Sequence, residues 1–171
     1  MTSQEKQAEF IKSYLKPTLK AHGYKTSGKT WWKDKGLFFI VINLQNSQWN
    51  SKKESTFCLN IGVALTEKLA DKEKKKATCY DLATPLGEAA YLNVERLEVQ
   101  KRMGGGLGYK ITDETNVIDF INYFKIDLED NILKRLDELR TLGDCVAFYD
   151  KFEFWGNFLR RQIDECGIVI D

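Results

Sequence analysis

The chain has 171 residues, with 26 Lys and Arg against 25 Asp and Glu, a formal net charge of +1, 43% hydrophobic residues and 30% charged ones. That balance excludes a disordered chain, and the length suits one domain able to bury a substantial core. No apolar run approaches the roughly 18 residues of a membrane helix, and the start MTSQEKQAEF lacks the apolar core of a signal peptide, so the expectation is a cytoplasmic protein with no membrane partner.

The near-neutral total conceals a division. Residues 1–112 carry 19 Lys and Arg against 11 Asp and Glu, whereas residues 113–171 carry 7 against 14. Such halves either let an acidic helical part dock beside a basic sheet part or polarise a surface that steers a charged partner. The cysteines Cys58, Cys79, Cys145 and Cys166 form no Cys-x-x-Cys pair, which argues against zinc or a redox dithiol. Buried free thiols are expected.

In chain order, residues 3–22 read as a helix, with Phe10, Ile11, Tyr14, Leu15 and Leu19 forming an apolar stripe at spacings of three and four. Ser3 is the candidate cap and Gly23 the stop. Pro17 lacks an amide proton, so a kink or a second helix start is expected there. His22, the one histidine, lies at the helix end, where a surface or capping role is favoured over catalysis because no motif ties an acid or nucleophile to it. Residues 30–33 form a short strand, and Asp34-Lys35-Gly36 turns the chain back. Trp31 and Trp32 point to opposite faces, one into the core and the other onto the open face, as sheet cover or as a ligand platform.

Residues 37–65, LFFIVINLQNSQWNSKKESTFCLNIGVAL, organise the fold. In 37–45, Phe38, Ile40, Ile42 and Leu44 share one face and Phe39, Val41, Asn43 and Gln45 the other; in 57–65, Phe57, Leu59, Ile61, Val63 and Leu65 lie together. Paired antiparallel, these strands bury one face under helices and leave the other open or half covered. The loop at 46–54 is longer than a tight hairpin needs and rich in amides. With Asn43, Gln45 and Asn60 on the non-core face, it makes a cluster flanked by Trp49, Lys52 and Lys53. Amides donate and accept, so these six residues are the candidate binding site for neutral polar groups; alternatively the amides bond to one another and pin the loop.

Residues 66–76, TEKLADKEKKK, read as a solvated connector, too mixed in charge for a nucleic-acid site. Residues 77–90 read as an irregular crossing. Residues 94–103 are helical by composition, yet their place before Gly104-Gly105-Gly106 and the run 107–112 favours a second hairpin turned by the glycines. GGGLGY is no phosphate loop. From 113 onward the chain is helical: Val117, Ile121, Phe124, Leu128, Ile132, Leu136 and Leu139 make 116–140 one long helix, or two broken near Ile126-Asp127. Asp119, Asp127, Asp130, Asp137 and Glu138 are assigned mostly to its outer, solvated face. Helices follow at 144–151 and 153–166, and the apolar ending Ile168-Val169-Ile170 should be tied down.

LKPTLKAHGYKTSGKTWWKDKG followed by FIVINLQNSQWNSKKESTFCLNIGVAL resembles the bacterial domain-of-unknown-function family 4304, in which a helix and a glycine lead to an aromatic strand, a strand ending in Asn-Leu-Gln and a strand reading Phe-x-x-Asn-x-Gly. Asn43-Leu44-Gln45, Trp49 and the residues from Phe57 to Gly62 carry the likeness over roughly the first 65 residues. An arginine-bearing hairpin of that family resembles residues 96–112, although 104–109 depart from its tryptophan-rich pattern. The resemblance implies a fold and no activity, so it brings no catalytic residues. The expected architecture is α+β: an antiparallel sheet of four to five strands with helices on one face, an N-terminal helix first and a helical C-terminal third, in a single domain. No catalytic residue, cofactor or metal site is assigned. The favoured function is a small binding or interaction domain, of an immunity or regulatory type, with another protein as partner. An accessory nucleic-acid binder using the open sheet face is the alternative, and an enzyme with an unrecognised site comes last.

Overall fold

A computed structural model describes residues 1–104 and 108–170, with side chains described for 1–101 and 108–170; two of the three positions of the expected glycine turn, Gly105 and Gly106, lie outside the described residues. Helix α1 (Ser3–Phe10) is capped by Thr2 rather than by Ser3. Thr2 Oγ1 accepts from the Glu5 amide at 3.2 Å, while the Glu5 carboxylate accepts from the Thr2 amide at 2.7 Å, a reciprocal box that satisfies two orphan donors. Ser3 is instead buried, its hydroxyl 2.7 Å from Ser51 O and 2.9 Å from Ser55 Oγ. A wide π turn (Ile11–Leu15) joins α1 to α2 (Lys16–Ala21), the Lys16 amide reaching back to Ile11 O. This re-registration lies just before Pro17, which has no amide to continue the regular bonding, and the chain stays helical through it into α2.

Six strands make one sheet: β1 (Lys25–Ser27), β2 (Thr30–Asp34), β3 (Phe38–Asn46), β4 (Glu54–Leu65), β5 (Leu86–Gly87) and β6 (Tyr109–Thr112). Their order is β1-β2-β3-β4-β5, with β6 also paired to β4. The register sets Trp31 opposite Ile42 and Trp32 opposite Val41, and Phe57 opposite Tyr109. The expected antiparallel α+β architecture is present, enlarged by the wholly exposed β1 and the two-residue β5.

Residues 94–103 form no hairpin arm. They belong to helix α3 (Val94–Gly104), started by Asn93, whose side chain accepts from the Arg96 amide at 2.9 Å; cap and composition outweigh the neighbouring glycines. Helix α4 (Val117–Asp127), capped by Asn116, passes through a π turn (Leu128–Ile132) into α5 (Leu133–Asp137), which puts the break next to the expected Ile126-Asp127. Helices α6 (Leu142–Tyr149) and α7 (Glu153–Glu165) follow; the Ile168 amide closes the end of α7 on Ile163 O at 3.2 Å, and Val169 of the apolar ending is exposed. No helix among the described residues is long and apolar enough to cross a membrane.

The chain divides into two compact units, the division passing through β3 and β4. The first comprises Met1–Tyr24, Leu44–Leu59 and Gly87–Lys134. Its core is aromatic: Phe10 meets Phe124 edge-on at 4.9 Å, Tyr109 meets Phe124 at 4.8 Å and Phe57 meets Tyr109 at 5.5 Å. Such pairs add about 0.5–1.5 kcal/mol each beyond the area they bury.

The second unit comprises Lys25–Asn43, Asn60–Leu86 and Arg135–Asp171. There the sheet face expected to lie open or half covered is covered: Trp32, Phe39 and Val41 are buried with Ala64, Leu69, Ala77 and Leu82. Both tryptophans are therefore buried, and Trp32 is sheet cover, not a ligand platform. Gly62 makes the cover possible. A Cβ there would stand 2.1 Å from Thr84 O, while Thr84 Oγ1 accepts from the Val63 amide at 3.0 Å and the Ala83 amide donates to Val63 O at 2.8 Å.

Candidate functional site

Asn43 and Asn60 stand half-buried on neighbouring strands of the second unit. Asn60 Nδ2 donates to Asn43 Oδ1 at 3.2 Å, and Asn43 Nδ2 donates to Thr30 Oγ1 at 2.9 Å. This ladder uses amide groups on one another, as cross-strand polar pairs do.

Gln45, Trp49, Lys52 and Lys53 belong to the first unit, where Gln45 is exposed near the end of β3 and the other three share the loop that follows. The loop is built from its own hydrogen bonds. Ser47 Oγ accepts from the Trp49 amide and Ser51 Oγ from the amides of Lys53 and Glu54, all at 3.2 Å; Asn50 Oδ1 accepts from the Thr56 amide at 2.8 Å. Short hydroxyl and amide side chains capture backbone donors in this way and hold turns without a ladder. Outside anchors complete the frame: the Ser3 amide donates to Lys52 O at 2.8 Å and the Asp113 amide to Lys53 O at 2.9 Å. On this frame Trp49 is 83% exposed, with the exposed side chains of Lys52 and Lys53 on the same loop.

The first unit also holds a buried polar cluster that the sequence did not disclose. Asp127, assigned to the outer helix face, has a fully buried side chain; Arg96 Nε donates to its Oδ1 at 2.5 Å and Tyr109 OH to its Oδ2 at 2.9 Å. Arg96 donates also to Tyr123 O at 3.1 Å, and its guanidinium lies 5.1 Å from the centre of the Tyr123 ring. Glu88, likewise buried, accepts from the Leu59 amide and from Gln100 Nε2, both at 3.0 Å. Asn131 joins the rim, taking the Asn93 amide at 3.2 Å and donating to Ile126 O at 3.0 Å beside the π turn.

Burial pushes Glu88 above the usual carboxylate range, against the hydrogen bonds that favour its charged form. Burial also raises Asp127, outweighing the stabilisation from Arg96 and Tyr109. Burial, then the Asp127 charge, drives the Tyr109 phenol well up, and the same two causes push Tyr123 up to about 12. Two carboxylates, a phenol and a guanidinium are acid–base material, but all four carboxylate oxygens already accept from protein donors. A cavity of about 300 Å³ beside β6, floored by Phe120 and Tyr123, is not lined by either carboxylate. The cluster's geometry is that of a bolt fastening α3 to its surroundings.

A positional signal for Asp127 was present: with Phe120, Phe124 and Asn131 it follows the three-and-four spacing of a buried stripe. Glu88 lies in a stretch with no period and carried no comparable signal. His22 sits at the C-terminal cap of α2, its amide bonded to Thr18 O and Leu19 O at 3.1 Å. The four cysteines are free, Cys145 buried and the other three half-buried. Among the described residues, no three His, Cys, Asp or Glu side chains converge as a metal-ligand set.

No curated protein and no solved structure matches this chain. Residues 15–138 match a family described as a domain of unknown function, DUF4304. That stretch of this chain holds the central strands, the Trp49 loop, the buried bolt and α4, and the chain belongs to the DUF4304 family.

Proposed function

We propose that this chain is a cytoplasmic partner-binding domain, of an immunity or regulatory type, that contacts another protein through the loop at 46–54. One observation carries the reading: Trp49 is 83% exposed on a loop whose backbone is held by side-chain and anchor bonds at both ends. Leaving a large aromatic in water is unfavourable, whereas a pre-ordered aromatic loses little entropy on docking, which is why tryptophan is prominent among residues that dominate interfaces. Lys52 and Lys53 favour a partner with an acidic margin, and Gln45 can extend the contact along the strand end. The free cysteines suit a reducing compartment.

The same two lysines beside an exposed ring support a second reading, a single-stranded nucleic-acid contact by base stacking. Support for an enzyme is weaker, because the buried carboxylates are engaged by internal donors. The test is capture from cell extract on immobilised wild type and Trp49→Ala chains of equal melting temperature. A protein held by the wild type and lost by the variant is the expected result; identical captured sets contradict the proposal. If nucleic acid is recovered and its retention falls steeply with salt, the second reading holds.

A further inference from the structure

Helix α7 carries a second aromatic stripe, independent of the Trp49 loop, in which Phe154 is exposed and Phe158 half-buried. Gly156, Leu159 and Ile163 are its buried residues. At 3.6 residues per turn, the opposite side brings together Phe154, Asn157, Phe158 and Arg161, which line a surface groove of about 360 Å³. Phe154 is 69% exposed. Of the acids beside the stripe, Asp150 lies 2.6 Å from Arg160, and Glu165 lies 2.7 Å from Lys68 and 4.0 Å from Arg161. Arg161 is the stripe's cation, its guanidinium 4.9 Å from the centre of the Phe158 ring.

The stripe complements itself when reversed. Phe154 and Arg161 are one heptad apart, two turns or about 10.5 Å along the axis, and so lie on one line. If two copies of α7 run antiparallel about a two-fold axis between Asn157 and Phe158, each Phe154 stands level with the other copy's Arg161. The symmetric contact then forms twice, a cation over an aromatic face at each end. A parallel pair would set arginine against arginine.

We infer that α7 is a self-association surface, pairing antiparallel with α7 of a second copy. A two-turn face is smaller than the roughly 800 Å² per partner of a stable interface, so the dimer is weak and concentration-dependent. Sedimentation equilibrium of the full chain over about a hundredfold range of concentration tests this. The wild-type mass should climb from 19.8 kDa toward twice that value, whereas Phe154→Ala and Arg161→Glu, at unchanged melting temperature, should stay monomeric. Trp49→Ala should associate as the wild type does. A wild type that stays monomeric throughout, association undiminished in both α7 variants, or loss of association in Trp49→Ala would each overturn the inference.

Discussion

Glu88 and Asp127 show how a buried charge is tolerated and what it costs. Glu88 is held by two neutral donors, Leu59 N–H and Gln100, with burial raising its proton affinity. Because its folded pKa lies above the unfolded value, the folded state holds more of this proton, and stability from this group is fully present below the unfolded value and lost as pH rises through the folded one. Glu88→Gln keeps an acceptor for Leu59 while Gln100 can turn its amide, so thermal melts should show the variant more stable than wild type at pH 7, with the gap closing as pH falls toward 4. Asp127 is different because its partner is charged. Arg96→Ala leaves a buried carboxylate unpaired and should cost about 3–5 kcal/mol in denaturant titrations, while Arg96→Met with Asp127→Leu should recover most of that loss. Tyr109→Phe removes one bond to the carboxylate and should cost about 1.5–3 kcal/mol.

At the scale of elements, the long strands were legible because their apolar residues alternate without interruption, from Phe38 to Leu44 and from Phe57 to Leu65. Helix α3 was not. Its side chains from Val94 to Lys101 include one buried residue, Gln100, so no apolar stripe announced it, and glycines beyond its end suggested a turn. Polar bolts hold it: Arg96 to Asp127 and Gln100 to Glu88. Hydrogen exchange should therefore find α3 amides opening at lower free energy than those of α4 or β4, which rest on apolar packing. Strand β1 escaped for a related reason: its three residues are all exposed, and pairing with β2 alone defines it. The cover over Trp32 was hidden because residues 69–84 follow no period, yet Gly62 marks where that segment approaches the sheet at Thr84. Gly62→Ala forces its methyl into Thr84 and should cost about 1–3 kcal/mol or more by chemical unfolding.

At the scale of the whole molecule, the α+β class, the N-terminal helix and the helical C-terminal part followed from hydrophobic periodicity. The six candidate residues were all chosen on polarity and loop length. Trp49, Lys52 and Lys53 were singled out because a long amide-rich loop between strong strands is a visible anomaly, and the structure sets that loop on a bonded frame. Asn43 and Asn60 were singled out on the same polarity, but residue type cannot show whether an amide faces a ligand or another amide; here they bond to each other. The charged cluster around Asp127 was missed because a carboxylate in a helix was assigned by its charge instead of by its place on the helix. The measurement that bears most directly on the proposed function is calorimetric titration of the protein captured by the wild-type chain into wild type and Trp49→Ala. An interface centred on this ring predicts a loss of about 2 kcal/mol or more, roughly thirtyfold in Kd, with both chains melting at the same temperature. Equal affinity for the two chains would contradict it.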